Sequence, residues 1–173
     1  MTSPLSELHQ SRNFEEFAAL LHGFDMDIRQ LDRGLFSGSS HQVAIGKTIL
    51  SHFVTNRRLE VSGASPTGLL TFGIPLESCN PFTWRKQTTD GNSIQIYRHS
   101  TELAVITNTF FESIDVSLTE DSLNERGQAL GLPDVCSLAG NKEMVRCDPA
   151  FMRVLRSTLF RIISSVRNNP SLF

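Results

Sequence analysis

The sequence predicts a mainly β protein with flanking helices, built as a β-sandwich or a small barrel. Short alternating segments separated by tight turns follow one another over residues 26–118. One small helix precedes these segments and one long amphipathic helix follows them. At their centre, residues 68–76 have apolar side chains on one side of the alternation, small ones on the other, and Leu69 beside Leu70. This pattern is typical of a strand that is covered on both faces.

Length and charge limit the classes of function. A chain of 173 residues is long enough for one main domain with an appendage. Its 16 Lys and Arg against 18 Asp and Glu give a net charge of −2, so no global basic field attracts it to nucleic acid or to an anionic membrane. No apolar run is long enough for a membrane span. We therefore expect no membrane partner.

The three cysteines predict a reducing environment. Cys79, Cys136 and Cys147 are odd in number and widely spaced, which fits neither a disulfide framework nor a C-x-x-C site. The first residues contain no basic segment followed by an apolar core, so they do not resemble a signal peptide. We expect a cytoplasmic protein.

The N-terminal half is expected to start with a helix and continue with strands. Asn13 caps a helix over residues 14–21, which ends at Gly23. Met26, Ile28 and Gln30 then share one face of a strand, which leaves Gln30 as a polar group on an apolar face. Further strands are predicted at residues 41–45 and 48–61, with breaks at 38–40 and 46 and a loop at 62–66.

The central strands are expected to enclose a cavity. Residues 68–76, a strand with Phe82 and Trp84, a turn at 90–92 and a strand with Ile94 and Ile96 follow in close succession. Thr71 and Gly73 leave room on the smaller face of the first strand, so that face could line a cavity. In the strand at 110–118, Ile114, Val116 and Leu118 are expected to face inward while Ser113, Asp115 and Ser117 face water.

Two helices are predicted in the C-terminal part. The first covers residues 120–130, with Thr119 as its cap and Gly131 at its end. The second begins with Asp148 and Pro149 and ends about twenty residues later. Its apolar seam has the spacing of a helix that packs lengthwise against another helix, so we expect homodimerisation through Met152, Leu155, Leu159, Ile162 and Val166. Arg153, Arg156 and Arg167 are expected on the opposite side, with Phe160 among them as a second contact or an ordinary exposed ring.

Motifs of catalysis or metal binding lack support. Gly46-Lys47-Thr48 ends like a P-loop, but His41 stands where the pattern needs glycine and a strand follows where it needs a helix. The five histidines form no H-x-H or H-x-x-x-H pair, and no G-x-S-x-G motif occurs. We therefore predict no catalytic residue, no metal and no cofactor.

A cavity with a few polar groups remains as the expected site. The candidate ligand-binding residues are Gln30, Phe72, Trp84 and Tyr97. Gln30 and Tyr97 are candidates because a buried polar end must find a partner, whereas Trp84 could equally be a core residue.

Several stretches resemble one known family. They are Phe14-Glu15-Glu16-Phe17, residues 27–38, residues 68–76 and Trp84-Arg85, and they are similar to the N-terminal regulatory domain of AraC/XylS-type bacterial transcription regulators. The resemblance implies a cupin-like β-barrel of the double-stranded β-helix type over residues 1–135. It also implies a helical dimerisation segment and the start of a linker over 136–173. DNA would be bound by a C-terminal domain with two helix-turn-helix motifs, which is absent from this chain.

The expected function is therefore a non-enzymatic domain for effector sensing and dimerisation. Its partners would be a small-molecule effector of unknown identity and a second copy of the chain, with DNA bound only through the further domain. Two alternatives stay open. One is a free-standing, metal-dependent cupin-type enzyme, and the other is a structural domain whose interior is filled by its own side chains, such as Phe53, Phe72, Phe82 and Trp84.

Overall fold

The computed structural model describes residues 5–19, 24–65, 67–77, 81–98, 102–134, 137 and 140–168. The helices are α1 (Phe14–Ala19), α2 (Glu120–Ala129) and α3 (Pro149–Asn168). The strands are β1 (Leu5–Ser11), β2 (Asp25–Gln30), β3 (Gly38–Ile45), β4 (Thr48–Thr55), β5 (Leu59–Ala64), β6 (Leu70–Pro75), β7 (Phe82–Trp84), β8 (Gln87–Thr89), β9 (Ser93–Tyr97), β10 (Glu102–Ile106), β11 (Phe111–Leu118) and β12 (Met144–Arg146). The predicted mainly β architecture with a long C-terminal helix is confirmed.

The strands form two antiparallel sheets. The larger sheet has seven strands in the order β1-β3-β4-β11-β6-β9-β12, and the smaller has five in the order β2-β5-β10-β7-β8. Side chains from both sheets line one cavity, so the sheets lie face to face. The segment that contains β12 belongs to the predicted C-terminal unit, yet β12 pairs with β9 of the larger sheet. Contacts therefore cross the predicted boundary at residue 135.

Some predicted boundaries were wrong. Residues 38–40 do not interrupt the chain but open β3, where they pair with the end of β4. The single strand expected over 48–61 is two strands, because the chain turns at residues 56–58. The segment 62–66 is not entirely a loop, since β5 continues to Ala64. The predicted end of the first helix, from Leu20 to Gly23, lies outside the described residues.

The orientation predicted for β11 was wrong. Ser113, Asp115 and Ser117 are buried on the interior side, although the alternation had assigned them to water. Ile114 and Val116 instead face the outer surface of the sheet, where α3 covers them. The reason is that both faces of this central strand are covered by protein. A period of two then shows that the faces differ, but not which of them meets water.

Helix α3 packs lengthwise on the outer face of the larger sheet. Met152, Leu159 and Val166 are buried there in one cluster with Ile74 and Ile114. Leu155 and Ile162 are partly buried against the same cluster. The five residues predicted to pair with a second copy are thus used within the chain, because the same helical spacing suits a helix on a sheet as well as a helix on a helix. Homodimerisation stays a prediction: Met152, Leu159 and Val166 are buried within the chain, whereas Leu155 and Ile162 are partly exposed.

The positions expected for Arg156 and Phe160 were also wrong. Arg156 follows Met152 by four residues, which turns it only about 40° away on a helix, and it is 5% exposed. Its Nε donates to the backbone oxygen of Pro75 at 2.9 Å, and its Nη1 lies 3.5 Å from a carboxylate oxygen of Glu77. The ring of Phe160 packs edge-on against His52, with centroids 5.1 Å apart. Both residues therefore hold α3 to its own sheet.

The predicted start of α3 is confirmed. Asp148 Oδ1 accepts hydrogen bonds from the backbone N–H groups of Ala150 at 2.8 Å and Phe151 at 3.2 Å. These are two of the donors that the first turn of a helix leaves without a partner. Among the described residues, no helix has the length and apolar character needed to cross a membrane.

Loss of this cap is expected to destabilise the protein by about 1 kcal/mol. Asp148→Ala removes the acceptor for both N–H groups, so the free energy of unfolding measured by urea titration should fall by that amount. Asp148→Asn keeps a side-chain oxygen at the cap and is the matched control. Equal losses in the two variants would contradict a capping role.

Candidate ligand-binding cavity

A cavity of about 90 Å³ lies between the two sheets. Most of its wall is apolar, and six aromatic side chains contribute to it: Phe17, Phe24, Phe53, Phe82, Tyr97 and Phe111. Because a cavity of about 150 Å³ holds benzene, this one has room for a very small organic molecule. The interior is therefore not completely filled by the chain's own side chains.

The polar part of the wall comes from the larger sheet. Asp115 on β11 is opposite Ser51 of β4 on one side and Gly73 of β6 on the other. Gly73 in turn is opposite Gln95 of β9. These residues form one row across the interior face, because aligned positions of neighbouring strands point the same way.

Gly73 makes room for Tyr97. A Cβ atom at this position would lie 2.5 Å from the Tyr97 hydroxyl oxygen, which real side chains do not tolerate. The phenol therefore lies over Gly73, next to Asp115 in the row. Burial, together with the negative charge of Asp115, raises the pKa of Tyr97 well above its ordinary value. Its hydroxyl consequently stays protonated at neutral pH and is able to donate a hydrogen bond.

Asp115 is the group that defines the chemistry of the cavity. Its side chain belongs to a residue that is only 7% exposed, and its Oδ1 has no hydrogen-bond partner. Burial raises the pKa of this carboxyl to about 7, although a hydrogen bond with Ser113 acts in the opposite direction. Near neutral pH the group is thus divided between its charged and neutral forms.

Other polar groups in the wall are mostly occupied. Gln95 Nε2 donates to the backbone oxygen of Ser93 at 3.0 Å and weakly to Thr89 Oγ1 at 3.4 Å. Thr107 Oγ1 accepts the backbone N–H of Leu59 at 2.9 Å. Thr55 Oγ1, like Asp115 Oδ1, is buried without a partner. A molecule in the cavity would find its polar contacts chiefly at these two oxygen atoms.

Only one of the four predicted ligand residues lines the cavity. Tyr97 does, and Trp84 lies behind it, 1% exposed, with the two ring centroids 4.7 Å apart. The side chain of Gln30 closes a turn outside, where Nε2 donates to the backbone oxygens of Asp32 at 2.7 Å and Gly34 at 2.9 Å. Phe72 points to the opposite face of β6 and packs in the cluster under α3. Along β6 it alternates with Thr71 and Gly73, which belong to the interior face, so Phe72 and these small residues lie on opposite faces.

Asp115 and Ser113 were missed because their strand was expected to expose its polar face. A signal for them did exist in the sequence. Thr71 and Gly73 were expected to line a cavity, and Asp115 is one of the residues opposite them in the sheet. Pairing the two small-residue faces would have turned Asp115 inward, but a single sequence does not reveal that β6 and β11 are neighbours.

The described residues bring no three His, Cys, Asp or Glu side chains together as a metal site. His52 lies on the outer side of the sheet and contacts a carboxylate oxygen of Glu112 at 2.8 Å. His22, His99, Cys79 and Cys136 are outside the described residues. Cys147 is a free, half-buried thiol whose pKa is raised by burial, which lowers its nucleophilicity at neutral pH.

Comparison with known proteins yields structural likeness alone. No protein-family model matches the chain. No curated protein sequence matches it. Similar solved structures include a predicted oxalate decarboxylase from Thermotoga maritima, with 12% identity and a TM-score of 0.37 over 55% of this chain and 94% of that one.

Two further structures are similar at the same level. Vicilin from hazelnut, Corylus avellana, has 10% identity and a TM-score of 0.35, covering 79% of this chain and 51% of vicilin. A deletion mutant of Bacillus subtilis oxalate decarboxylase has 12% identity and a TM-score of 0.33, covering 72% and 40%. At these identities and TM-scores the likeness carries no argument about the chemistry of this chain.

Proposed function

We propose that this chain is an effector-sensing domain that binds a small molecule between its two sheets. The observation that carries the proposal is an apolar cavity containing one buried carboxyl with an oxygen that has no partner. Ligand sites typically have this composition, with apolar walls for affinity and a few polar groups for orientation. Asp115 Oδ1 borders the cavity, so a donor on a bound molecule would satisfy it.

The regulatory part of the proposal is supported by the resemblance to AraC/XylS-type regulators. That family has a cupin-like sensory barrel before its DNA-binding domain, and two facing sheets followed by a long helix are compatible with such a barrel. On this proposal the domain acts in the bacterial cytoplasm and does not itself contact DNA. Its net charge of −2 suits that role, since the phosphate backbone requires basic surfaces.

The alternative of a metal-dependent cupin-type enzyme needs several metal ligands in one place. The parts of the chain that the structure describes bring no three of them together, and the described cavity wall contains a single carboxylate and no histidine. The geometry therefore favours ligand binding over this alternative. Metal analysis of protein purified without added metal tests it, since stoichiometric iron, zinc or manganese would support the enzyme.

Ligand binding is tested by thermal denaturation in the presence of a library of small metabolites. A compound at 100 times its dissociation constant should stabilise the folded protein by about 2.7 kcal/mol. Val61→Phe adds bulk to the cavity wall and should remove the effect, because Val61 lines the cavity. Val154→Phe is the matched control, since Val154 is 67% exposed on α3.

Two results would contradict this part of the proposal. One is a library in which no compound stabilises the protein. The other is a stabilising compound whose effect persists unchanged in Val61→Phe. The regulatory part is tested separately by reading the source gene past the codon for Phe173, where two helix-turn-helix patterns are expected. A stop codon at that point would contradict it.

A further inference from the structure

We infer that the ligand of this cavity is a small organic cation, an alkylammonium ion whose N–H group donates to Asp115 Oδ1. The inference rests on the proposed function, because it identifies the chemical class of molecule that the same cavity would take. Three properties of the wall carry it: its charge, its two buried oxygen atoms without a hydrogen-bond partner and its aromatic rings.

The charge of the wall favours a cation. Among the described residues that line the cavity there is no Lys, Arg or His, and Asp115 is the one group that ionises near neutral pH. An anionic ligand would place a second negative charge beside this carboxylate in a medium of low dielectric constant. A cation compensates the carboxylate directly, as buried charges in proteins require.

Among the described residues, no Lys, Arg or His faces the cavity around Asp115. Its neighbours in the sheet are Ser51 and Gly73, and the titratable group closest in the wall is Tyr97, which remains neutral. The facing sheet contributes apolar side chains such as Leu103 and Val105. His52 is in register with Ile114, so it belongs to the outer side of the sheet. A cationic ligand would supply the compensating charge when the carboxyl is ionised.

The hydrogen-bonding requirement is equally specific. Ser113 shares a hydrogen bond with the carboxyl group, yet Oδ1 has no partner. Thr55 Oγ1 is a second buried oxygen without a partner in the wall. Both atoms can accept, and an ammonium group has donors and no acceptor. Such a donor would satisfy Oδ1 with a charge-assisted hydrogen bond.

The aromatic rings supply the remaining chemistry. Six of the lining residues are aromatic, and the negative faces of such rings attract cations and give apolar contact to alkyl groups. Aromatic rings combined with one carboxylate are a recognised environment for ammonium ligands. The volume of about 90 Å³ sets the size. Because a cavity of about 150 Å³ holds benzene, this one suits a molecule smaller than benzene.

The test compares three probes that share an isopropyl group and differ in charge. Isopropylammonium, 2-propanol and isobutyrate are titrated into the protein by calorimetry at about pH 8, where both an alkylamine and the Asp115 carboxyl are mainly charged. Isopropylammonium should bind at least about tenfold more tightly than either other probe. Asp115→Asn should reduce that preference to about twofold or less. Asp27→Asn should keep it, because Asp27 is an exposed aspartate on β2 and lies outside the cavity wall.

A second readout does not depend on a variant. The ¹³C chemical shift of the Asp115 side-chain carboxyl, followed against pH, should show a pKa lower by at least about one unit when isopropylammonium is bound. Equal or tighter binding of 2-propanol or isobutyrate would overturn the inference while leaving the proposed function intact. Failure of all three probes to bind or to move this resonance would overturn the inference, while the proposed function is decided separately by the metabolite library.

Discussion

Asp115→Asn is expected to leave the protein about as stable as the parent at pH 4 and markedly more stable at pH 8. Burial raises the pKa of this carboxyl from 3.8 to about 7 in the folded state. The difference between parent and variant should therefore grow by roughly 3–4 kcal/mol across this interval, at about 1.4 kcal/mol for each unit of pKa shift.

The sign follows from proton binding. Between pH 3.8 and about 7 the folded parent holds a proton on Asp115 that the unfolded chain has released. Stability contributed by the neutral carboxyl is complete below pH 3.8 and is lost as the pH rises through about 7. Asparagine has a similar shape and never ionises, so the variant escapes this loss.

Urea titrations of both proteins at intervals between pH 4 and pH 8 measure the effect, because taking their difference cancels the contributions of all other groups. Asp27→Asn repeats the same chemical change at an exposed aspartate and should give a nearly constant difference. A constant difference for Asp115→Asn as well would show that the pKa of its carboxyl is the same in the folded and the unfolded protein, contrary to the expectation from its burial.

Ile163→Asp is expected to destabilise the protein by more than about 4 kcal/mol and to detach α3 from the sheet. Ile163 is 3% exposed within the cluster under α3, so the variant must either bury an unpaired charge or expose the apolar face it covered. The variant also loses the free energy that is gained by burying the apolar side chain of Ile163.

Val154→Asp is the matched control on the same helix. Val154 is exposed, so its replacement should change the free energy of unfolding by less than about 0.5 kcal/mol. Urea unfolding followed by circular dichroism measures both variants. Similar losses in the two would mean that α3 does not rest on the sheet through the Ile163 side. Light scattering on the control also reports whether the exposed side of α3 takes part in homodimerisation.

Local features of the fold could be predicted because their signals are local. Thr119 caps α2 and Asp148 caps α3 as expected, since a cap depends on the residue and the two or three N–H groups that follow it. The turn at 90–92 was correct for the same reason, with Asp90 Oδ1 accepting the N–H of Asn92 at 2.9 Å. The length of α3 also followed from its own spacing and end signals.

The site could not be predicted to the same extent, because its residues depend on which strands are neighbours. Phe72 and Asp115 were both assigned to the wrong side for one reason: the larger sheet has the cavity on one face and α3 on the other. Apolar residues mark the interior only where the second face meets water. In the larger sheet the polar face is the inner one, and the apolar face packs against α3.

The alternation along β11 also has a thermodynamic consequence. Asp115 borders the cavity, and its two neighbours in the chain, Ile114 and Val116, pack in the cluster under α3. Consecutive Cα atoms are only about 3.8 Å apart, so occupancy of the cavity and docking of the helix share one stretch of backbone. If a bound molecule changes the docking equilibrium of α3 by some factor, linkage requires that undocking of α3 change the affinity for that molecule by the same factor. A substitution beneath the helix alters ligand affinity only to the extent that ligand binding and the docking of α3 are coupled.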